Sequence, residues 1–176
     1  MAATSAVIIV QPSREELLLQ GLSPPLVDFI LRYPRGGAFE HLCGDAHSRY
    51  PLDAPWVHDT PANVTEVYRL WNRDADQCVL WLREGERQFA WLYHDGDVPS
   101  FISRTEQGLV ADLLLDIMDV KGLREEEDRA VVRQAAQDLG CSFFDLLWDW
   151  DQRNGGAPTY RRQRADLIEK IDDMFA

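Results

Sequence analysis

His41, Cys43 and His47 are the residues whose types and spacing come closest to a reactive or metal-binding cluster. Zinc accepts imidazole and thiolate ligands, but the HxCxxxH spacing is not a zinc-finger pattern, and no second close pair follows it. A thiol nucleophile needs a base at hydrogen-bond distance and a third group that orients the base, and adjacency in the sequence supplies neither. We therefore expect no metal, no cofactor and no catalytic thiol.

Close pairs of carboxylates are the second candidate for chemistry. Asp74 with Asp76 and Asp95 with Asp97 form such pairs, and a glycosidase uses two carboxylates on opposite sides of a sugar cleft. All four lie in predicted hairpin turns, where Asp is favoured because its side chain bonds to the nearby backbone. We expect these residues to shape turns.

The segment 149–155 resembles the start of a calcium-binding loop. An EF-hand needs Gly at its sixth position and Glu at its twelfth, whereas counting from Asp149 gives Asn154 and Tyr160. The chain also contains no phosphate-loop, dinucleotide-binding or serine-hydrolase motif. A chain without such residue clusters is more typical of a binding protein than of an enzyme.

The charge of the chain indicates what it would bind. The sequence has 30 acidic residues against 18 Lys and Arg, which gives a formal net charge of −12. Such a surface repels nucleic acids and anionic membranes and attracts basic proteins. The alternative, that the acidity only keeps the chain in solution, stays open at this point.

The acidic residues are concentrated between Val110 and Asp151, where eleven Asp and Glu stand against four Lys and Arg. Trp148 and Trp150 lie about 200° apart on a helix, so both cannot face the core squarely. An exposed Trp beside carboxylates suits a partner rich in Arg and Lys, although a solvated helical face with both rings covered would show the same pattern. The predicted partner-binding residues are Trp148, Asp149, Trp150, Asp151, Glu125, Glu126 and Glu127.

Arg161, Arg162 and Arg164 place positive charge at the start of the last predicted helix. This arrangement opposes the helix dipole, which favours acidic residues at that end. We therefore predict that these arginines pair with carboxylates of the acidic stretch.

Capping residues and hydrophobic spacing predict six helices. Ser13 with Glu16 forms a capping-box pattern, and Ser23 before Pro24 is typical of a helix start. The second helix carries an apolar face that ends at Tyr33. The predicted helices are 13–20, 23–33, 105–119, 125–139, 142–152 and 158–175.

Alternating aromatic and branched residues predict an antiparallel meander of three strands, 65–71, 77–83 and 87–93. The first strand would place Val67, Arg69 and Trp71 on one face. Residues 38–63 have no periodicity and predict an irregular segment. The fold class is therefore α+β, an antiparallel meander sheet with helices packed on it and a C-terminal helical extension. We expect a unit at 1–121 and the extension, 122–176, packed on the same domain.

The cysteines and the N-terminus predict a cytoplasmic protein. An odd, scattered set without CxxC does not predict disulfides, and Cys78 and Cys141 lie in apolar contexts typical of buried thiols. Met1–Val10 has no basic residue before its short apolar run, so we expect no signal peptide. No stretch approaches the roughly 20 apolar residues of a membrane helix.

Three segments, and the order of the elements, resemble the SUKH superfamily, also called the SMI1/KNR4-like domain. GLSPPLVDFILRYPRGGAF at 21–39 is similar to its opening helix, and the aromatic meander at 67–93 to its central sheet. VPSFISRTEQGLVADLLLDI at 98–117 is similar to its closing Ser-Phe element and last helix. The resemblance does not extend to the tail from Gly122 onward, to which no counterpart in the family is assigned.

This resemblance implies a binding role without shared catalytic residues. Many bacterial members are immunity proteins that neutralise polymorphic toxins, often nucleases, and fungal relatives are regulatory scaffolds. A nuclease site is basic because it holds phosphate, so an acidic inhibitor suits it. We expect an immunity protein that occludes a basic toxin domain and is not an enzyme, with a small hydrolase or a regulatory scaffold as alternatives.

Overall fold

The computed structural model describes residues 11–32, 35–44, 48–50, 63–93 and 99–176, with the backbone alone at 48–50. The helices are α1 (Arg14–Leu19), α2 (Pro24–Leu31), α3 (Glu106–Val120), α4 (Arg129–Asp138), α5 (Phe144–Asn154) and α6 (Tyr160–Phe175). The strands are β1 (Ser48–Tyr50), β2 (Val64–Arg73), β3 (Asp76–Arg83), β4 (Glu86–Leu92) and β5 (Ser100–Ser103). The strands form one antiparallel meander in the order β1 to β5, which confirms the α+β class.

None of the helices in the described ranges combines the length and the apolar character that crossing a membrane requires.

The first two helices begin as the sequence predicts. The Ser13 hydroxyl accepts from the Glu16 amide at 3.2 Å, and the Glu16 carboxylate accepts from the Ser13 amide at 2.7 Å. Ser23 caps α2, and Leu26 of that helix is fully buried. Tyr33, the predicted end of the apolar face, lies outside the described residues.

The sheet is wider than the sequence predicts. β1 lies inside the segment 38–63, which was expected to be irregular, and pairs with β2. A strand of three residues is too short for alternation to be visible in the sequence. β5 adds a strand at the opposite edge, where it pairs with β4 and leads directly into α3.

A register shift in β2 changes which side chains face the helices. The pairing of β2 with β3 shifts between Arg69 and Trp71, and such a bulge interrupts the alternation of side chains. Trp71 consequently packs in the same hydrophobic cluster as Tyr68 and Leu70, whereas Val67 belongs to a second cluster. The prediction that Val67 and Trp71 share a face is therefore wrong.

Helix α3 contributes more residues to the main hydrophobic cluster than any other helix or strand of the described ranges. Leu80 and Phe89 of the sheet, Leu114 of α3, and Leu147 and Ile171 from the last two helices all belong to this cluster. Each of these side chains is 2% exposed or less. Residues of 122–176 thus contribute to the same core as the sheet does.

Asp172 of α6 binds the turn that starts α3. Its carboxylate accepts from the Ser103 hydroxyl at 2.7 Å, from the Arg104 amide at 2.8 Å, and from the Thr105 amide and hydroxyl at 3.1 and 2.6 Å. A glycine is required opposite it, because a Cβ at Gly108 would lie 2.5 Å from the Asp172 Oδ1 atom. The positive end of the α3 dipole also favours this carboxylate.

Replacing this carboxylate should strongly destabilise the fold. In Asp172→Ala, buried donors at the α3 turn lose their acceptor, and we expect the free energy of unfolding to fall by about 3 kcal/mol. The neighbouring Asp173 is 68% exposed in its pair with Arg104, so Asp173→Ala should cost less than about 1 kcal/mol. Urea denaturation of both variants measures the difference, and equal effects would contradict the role of Asp172.

Candidate functional site

The segment between α3 and α4 contacts helix α5 near both ends of that helix. At one end, Arg129 donates to Asp145 at 3.0 Å and lies over the Trp148 ring, 5.8 Å from its centroid. At the other end, the Arg124 carbonyl accepts from the Gln152 side chain at 2.7 Å. The acidic residues between Arg124 and Arg129 are therefore placed beside α5.

Those acidic residues form a 3-10 turn, and α4 begins after them at Arg129, later than the predicted helix start at 125. Glu125 donates its amide to the Asp128 carboxylate at 3.1 Å, which closes the turn. Glu125, Glu126 and Glu127 remain exposed. Asp145 and Asp149 of α5 are exposed too, and they lie four residues apart on one helix face. We call these five residues the acidic face: Glu125, Glu126, Glu127, Asp145 and Asp149.

The acidic face is only partly neutralised. Asp145 receives hydrogen bonds from Arg129 and Arg133, and Glu126 lies 3.3 Å from Arg129. Glu125, Glu127 and Asp149 have no Lys, Arg or His within 4 Å in the part of the chain that the structure describes. The face therefore carries unbalanced negative charge.

The structure brings four of the seven predicted partner-binding residues to this face and places two in the interior. Trp148 is 2% exposed, and Asp151 is 1% exposed. The Asp151 carboxylate accepts from Arg124 Nε at 2.8 Å and from the Tyr160 hydroxyl at 2.9 Å. Trp150 is half-buried against the Tyr160 ring, with centroids 5.4 Å apart. Trp148 and Asp151 are buried inside the fold, so neither side chain is accessible to a partner.

The Tyr160 hydroxyl that binds Asp151 stays protonated. Burial, followed by the charge of Asp151, raises the pKa of Tyr160. A phenol that keeps its proton can donate to the carboxylate, so this interior bond stabilises the junction of α5 with α6.

A cleft of about 800 Å³ opens between the sheet and helices α3 and α6. Its floor carries two arginines and two aspartates, Arg73, Asp112, Asp116 and Arg164. Arg164 donates to Asp112 Oδ1 from Nε at 2.8 Å and to Asp116 Oδ1 from Nη1 at 2.6 Å. Arg73 donates to Asp116 Oδ2 at 2.7 Å. The formal charges of the floor cancel, and we call these four residues the ionic floor.

The ionic floor confirms the predicted pairing of the last helix with the acidic stretch for Arg164. Arg161 and Arg162 differ, because both are exposed and neither has a carboxylate within 4 Å among the described residues. Three arginines from outside the stretch 110–151 pair with its acids: Arg32 with Asp138, Arg73 with Asp116, and Arg164 with Asp112 and Asp116. Much of the acidity of this stretch is thus neutralised within the fold.

Burial changes the proton affinity of the ionic floor. Burial raises the pKa of Asp112; the Arg164 charge opposes this shift and the Asp116 charge adds to it. Burial disfavours a charged Arg164, but the Asp112 and Asp116 carboxylates outweigh it and raise the pKa of that guanidinium. Sequence reasoning missed these residues as a set. The available signal was two aspartates four positions apart in an otherwise apolar helix, since buried carboxylates need partners.

Of the remaining candidates for chemistry, the structure describes Cys43 and His41, and these differ in exposure. Cys43 is buried, and burial raises its pKa to about 12, so it carries no thiolate at neutral pH. The His41 side chain is 84% exposed, and His47 lies outside the described residues. Within those residues, no group of three potential metal ligands comes together.

The predictions for the carboxylate pairs and for Cys78 and Cys141 are confirmed only in part. Asp74 occupies the turn between β2 and β3, as expected, and Asp76 is the first residue of β3. Asp95 and Asp97 lie outside the described residues. Cys78 is buried as expected, whereas Cys141 is partly exposed.

Comparisons of the chain with protein-family models, with curated proteins and with solved structures found no match in any of the three. The resemblance to the SUKH superfamily therefore stands only on the segments quoted above. The acidic face and the cleft stand on the geometry of this chain.

Removing the central guanidinium of the ionic floor should destabilise the protein. Arg164→Met leaves Asp112 without its partner and removes one of the two partners of Asp116, and we expect a loss of about 3–5 kcal/mol in the free energy of unfolding. Arg161→Met, on the exposed side of the same helix turn, should change it by less than about 0.5 kcal/mol. Thermal and urea denaturation compare the two variants. A small effect of Arg164→Met would show that the floor contributes little.

The raised pKa of Asp112 predicts a pH dependence. Between the ordinary value of 3.8 and the raised folded value, the folded state binds more protons than the unfolded state, so stability falls as pH rises. Asp112→Asn removes this titration. We expect the stability of the wild type relative to this variant to decrease as pH rises from 3.8 toward neutrality, measured by urea denaturation at a series of pH values. A relative stability that increases with pH would reverse the assigned direction.

Proposed function

We propose that this chain is a non-catalytic binding protein that neutralises a basic protein partner by covering it, and that the acidic face makes the contact. The observation that carries this proposal is the exposure of Glu125, Glu127 and Asp149 without a cation within 4 Å among the described residues. Exposed carboxylates without counter-ions produce a local negative potential, which attracts and orients a basic surface.

The distribution of charge supports a localised contact rather than general acidity. Within the stretch 110–151, Asp112, Asp116 and Asp151 are buried and paired with arginines. Among the described residues of this stretch, the acids without a cation within 4 Å are Glu125, Glu127 and Asp149, which are exposed, and the half-buried Asp128. Electrostatic complementarity at such a site increases the association rate and selects against acidic partners.

The resemblance to the SUKH superfamily supports a more specific form of the proposal. The chain would act as an immunity protein, and its partner would be a basic toxin domain such as a nuclease. A nuclease site holds phosphate with cationic groups, so the acidic face would cover that site and exclude nucleic acid. Occlusion of this kind needs neither chemistry nor a cofactor.

One observation favours the hydrolase alternative. The cleft brings two carboxylates together, and burial raises the pKa of Asp112 as in some general acids. Both carboxylates are bonded to Arg164, however, so proton transfer would first have to break an ion pair. The hydrolase and scaffold alternatives stay predictions.

Charge reversal tests the proposed contact. We expect the tagged full-length chain to capture a basic partner from its native host at low salt and to release it at high salt, since salt screens exposed charges. With that partner purified, the triple variant Glu125→Lys, Glu127→Lys and Asp149→Lys should weaken binding at least about tenfold and reduce its salt dependence. Calorimetry at two salt concentrations measures both effects.

A matched control keeps the same change in net charge elsewhere on the surface. Glu15, Glu40 and Glu86 are exposed acids on α1, on the turn after α2 and on β4. Reversing these three together should leave the affinity within about threefold of the wild type. Equal losses from both triple variants would mean that only total charge matters, and the acidic face would then not be the contact.

A further inference from the structure

The cleft above the ionic floor has an unusual combination of apolar rim and neutral base. Phe101 of β5 is 53% exposed and Val120 of α3 is 59% exposed, and both line the cleft. Large apolar side chains left open beside a concave surface are typical of a binding site. The base contributes no net charge, since each carboxylate of the ionic floor is paired with a guanidinium.

Arg73 gives this cleft a specific chemical preference. Its guanidinium lies over the Trp91 ring, 4.7 Å from the centroid, and one of its nitrogens bonds to Asp116. The Arg73 side chain is still 29% exposed and lines the cleft. A planar guanidinium has two faces, and an aromatic ring on its open face would extend the stack that Trp91 begins.

Arg124 links the cleft to the segment that begins the acidic face. Asp119 lines the cleft and bonds to Arg124 at 2.8 Å, and Arg124 immediately precedes Glu125 of the acidic face. Tyr160 also lines the cleft and bonds to Asp151 in the same network. These contacts place the cleft and the first residue of the acidic face on two sides of Arg124, so one partner protein can contact both.

We propose that the cleft receives an aromatic side chain of the basic partner, stacked on the open face of Arg73 between Phe101 and Val120. This inference rests on the proposed function and specifies the partner further: it presents an exposed Trp, Tyr or Phe close to Lys or Arg residues. The aromatic ring enters the cleft above the ionic floor, whose charges cancel, and its basic neighbours lie on the acidic face rather than beside Arg161, an exposed arginine that also lines the cleft. Such buried aromatic anchors carry a large share of binding energy in protein interfaces.

A titration with small aromatic probes tests the cleft without any partner. In the full-length, nitrogen-15-labelled chain, N-acetyl-tryptophanamide should cause saturable shifts of the Arg73 Nε–H and Trp91 indole signals. N-acetyl-leucinamide, of similar polarity but without a ring, should shift them at least about threefold less at the same concentration. Equal shifts from both amides, or no saturable shift at Arg73, would overturn the proposal.

Two surface variants complete the test. Phe101→Glu places a charge at the exposed rim and should abolish the saturable shifts, while Leu19→Glu, at a 77% exposed position on α1, should leave them unchanged. With the captured partner, Phe101→Glu should weaken binding at least about tenfold. If the acidic-face triple variant weakens partner binding and Phe101→Glu does not, the anchor proposal fails while the proposed function stands. If the probes bind as expected and the triple variant has no effect, the acidic-face contact fails instead.

Discussion

Three carboxylates buried along helix α3 determine much of how this chain packs. Glu106, Asp112 and Asp116 are each less than 10% exposed, and an ionised carboxylate leaves water at a large cost unless partners replace its solvation. Each partner comes from a different element. Ser23 at the start of α2 donates its amide and hydroxyl to Glu106, Arg73 at the end of β2 binds Asp116, and Arg164 of α6 binds both aspartates. The apolar residues of α3 draw these elements together, and the carboxylates select their positions.

At the other end of the α3–α6 pair, the roles of the two helices are exchanged. There the buried carboxylate belongs to α6, and α3 with the end of β5 supplies the donors around Asp172. Arg164 and Asp172 lie eight residues apart on α6 and bind α3 near its middle and at its first turn, so the two helices run antiparallel in one register. Apolar contacts alone specify a unique arrangement less strictly, since hydrophobic cores accept many substitutions before they lose stability. The polar contacts of Arg164 and Asp172 therefore add specificity to the position of α6 on α3.

The sequence predicts the local structure well where the signal is local. Capping residues such as Ser13 and Ser23 bond within their own turn, and long apolar periods such as that of α3 identify a buried helix, so both are visible in a single chain. The bulge at Trp71 and the short strand β1 are not, because both depend on how strands pair. The exposed acids of the candidate site are even less visible in the sequence. Asp112 and Asp151 look identical to Asp149 in a count of acids, yet the first two are inside and the third is exposed. Whether an acid is paired or exposed depends on whether the fold places an arginine from another part of the chain beside it.

This separation of acids into paired and free ones also changes what net charge means for binding. The formal charge of −12 suggests a uniformly repulsive surface, but Asp112 and Asp116 of α3 and Asp151 of α5 are compensated by arginines inside the fold. Charge that is compensated inside contributes little field outside, because the opposite charges lie a few ångströms apart and their fields cancel with distance. The field that a partner meets comes from uncompensated acids, among them those of the acidic face. On the other side of Arg124 lies a cleft whose ionic floor carries no net charge. The chain thus presents exposed acids that attract a basic group and, separately, a recess with a neutral base that suits an aromatic one.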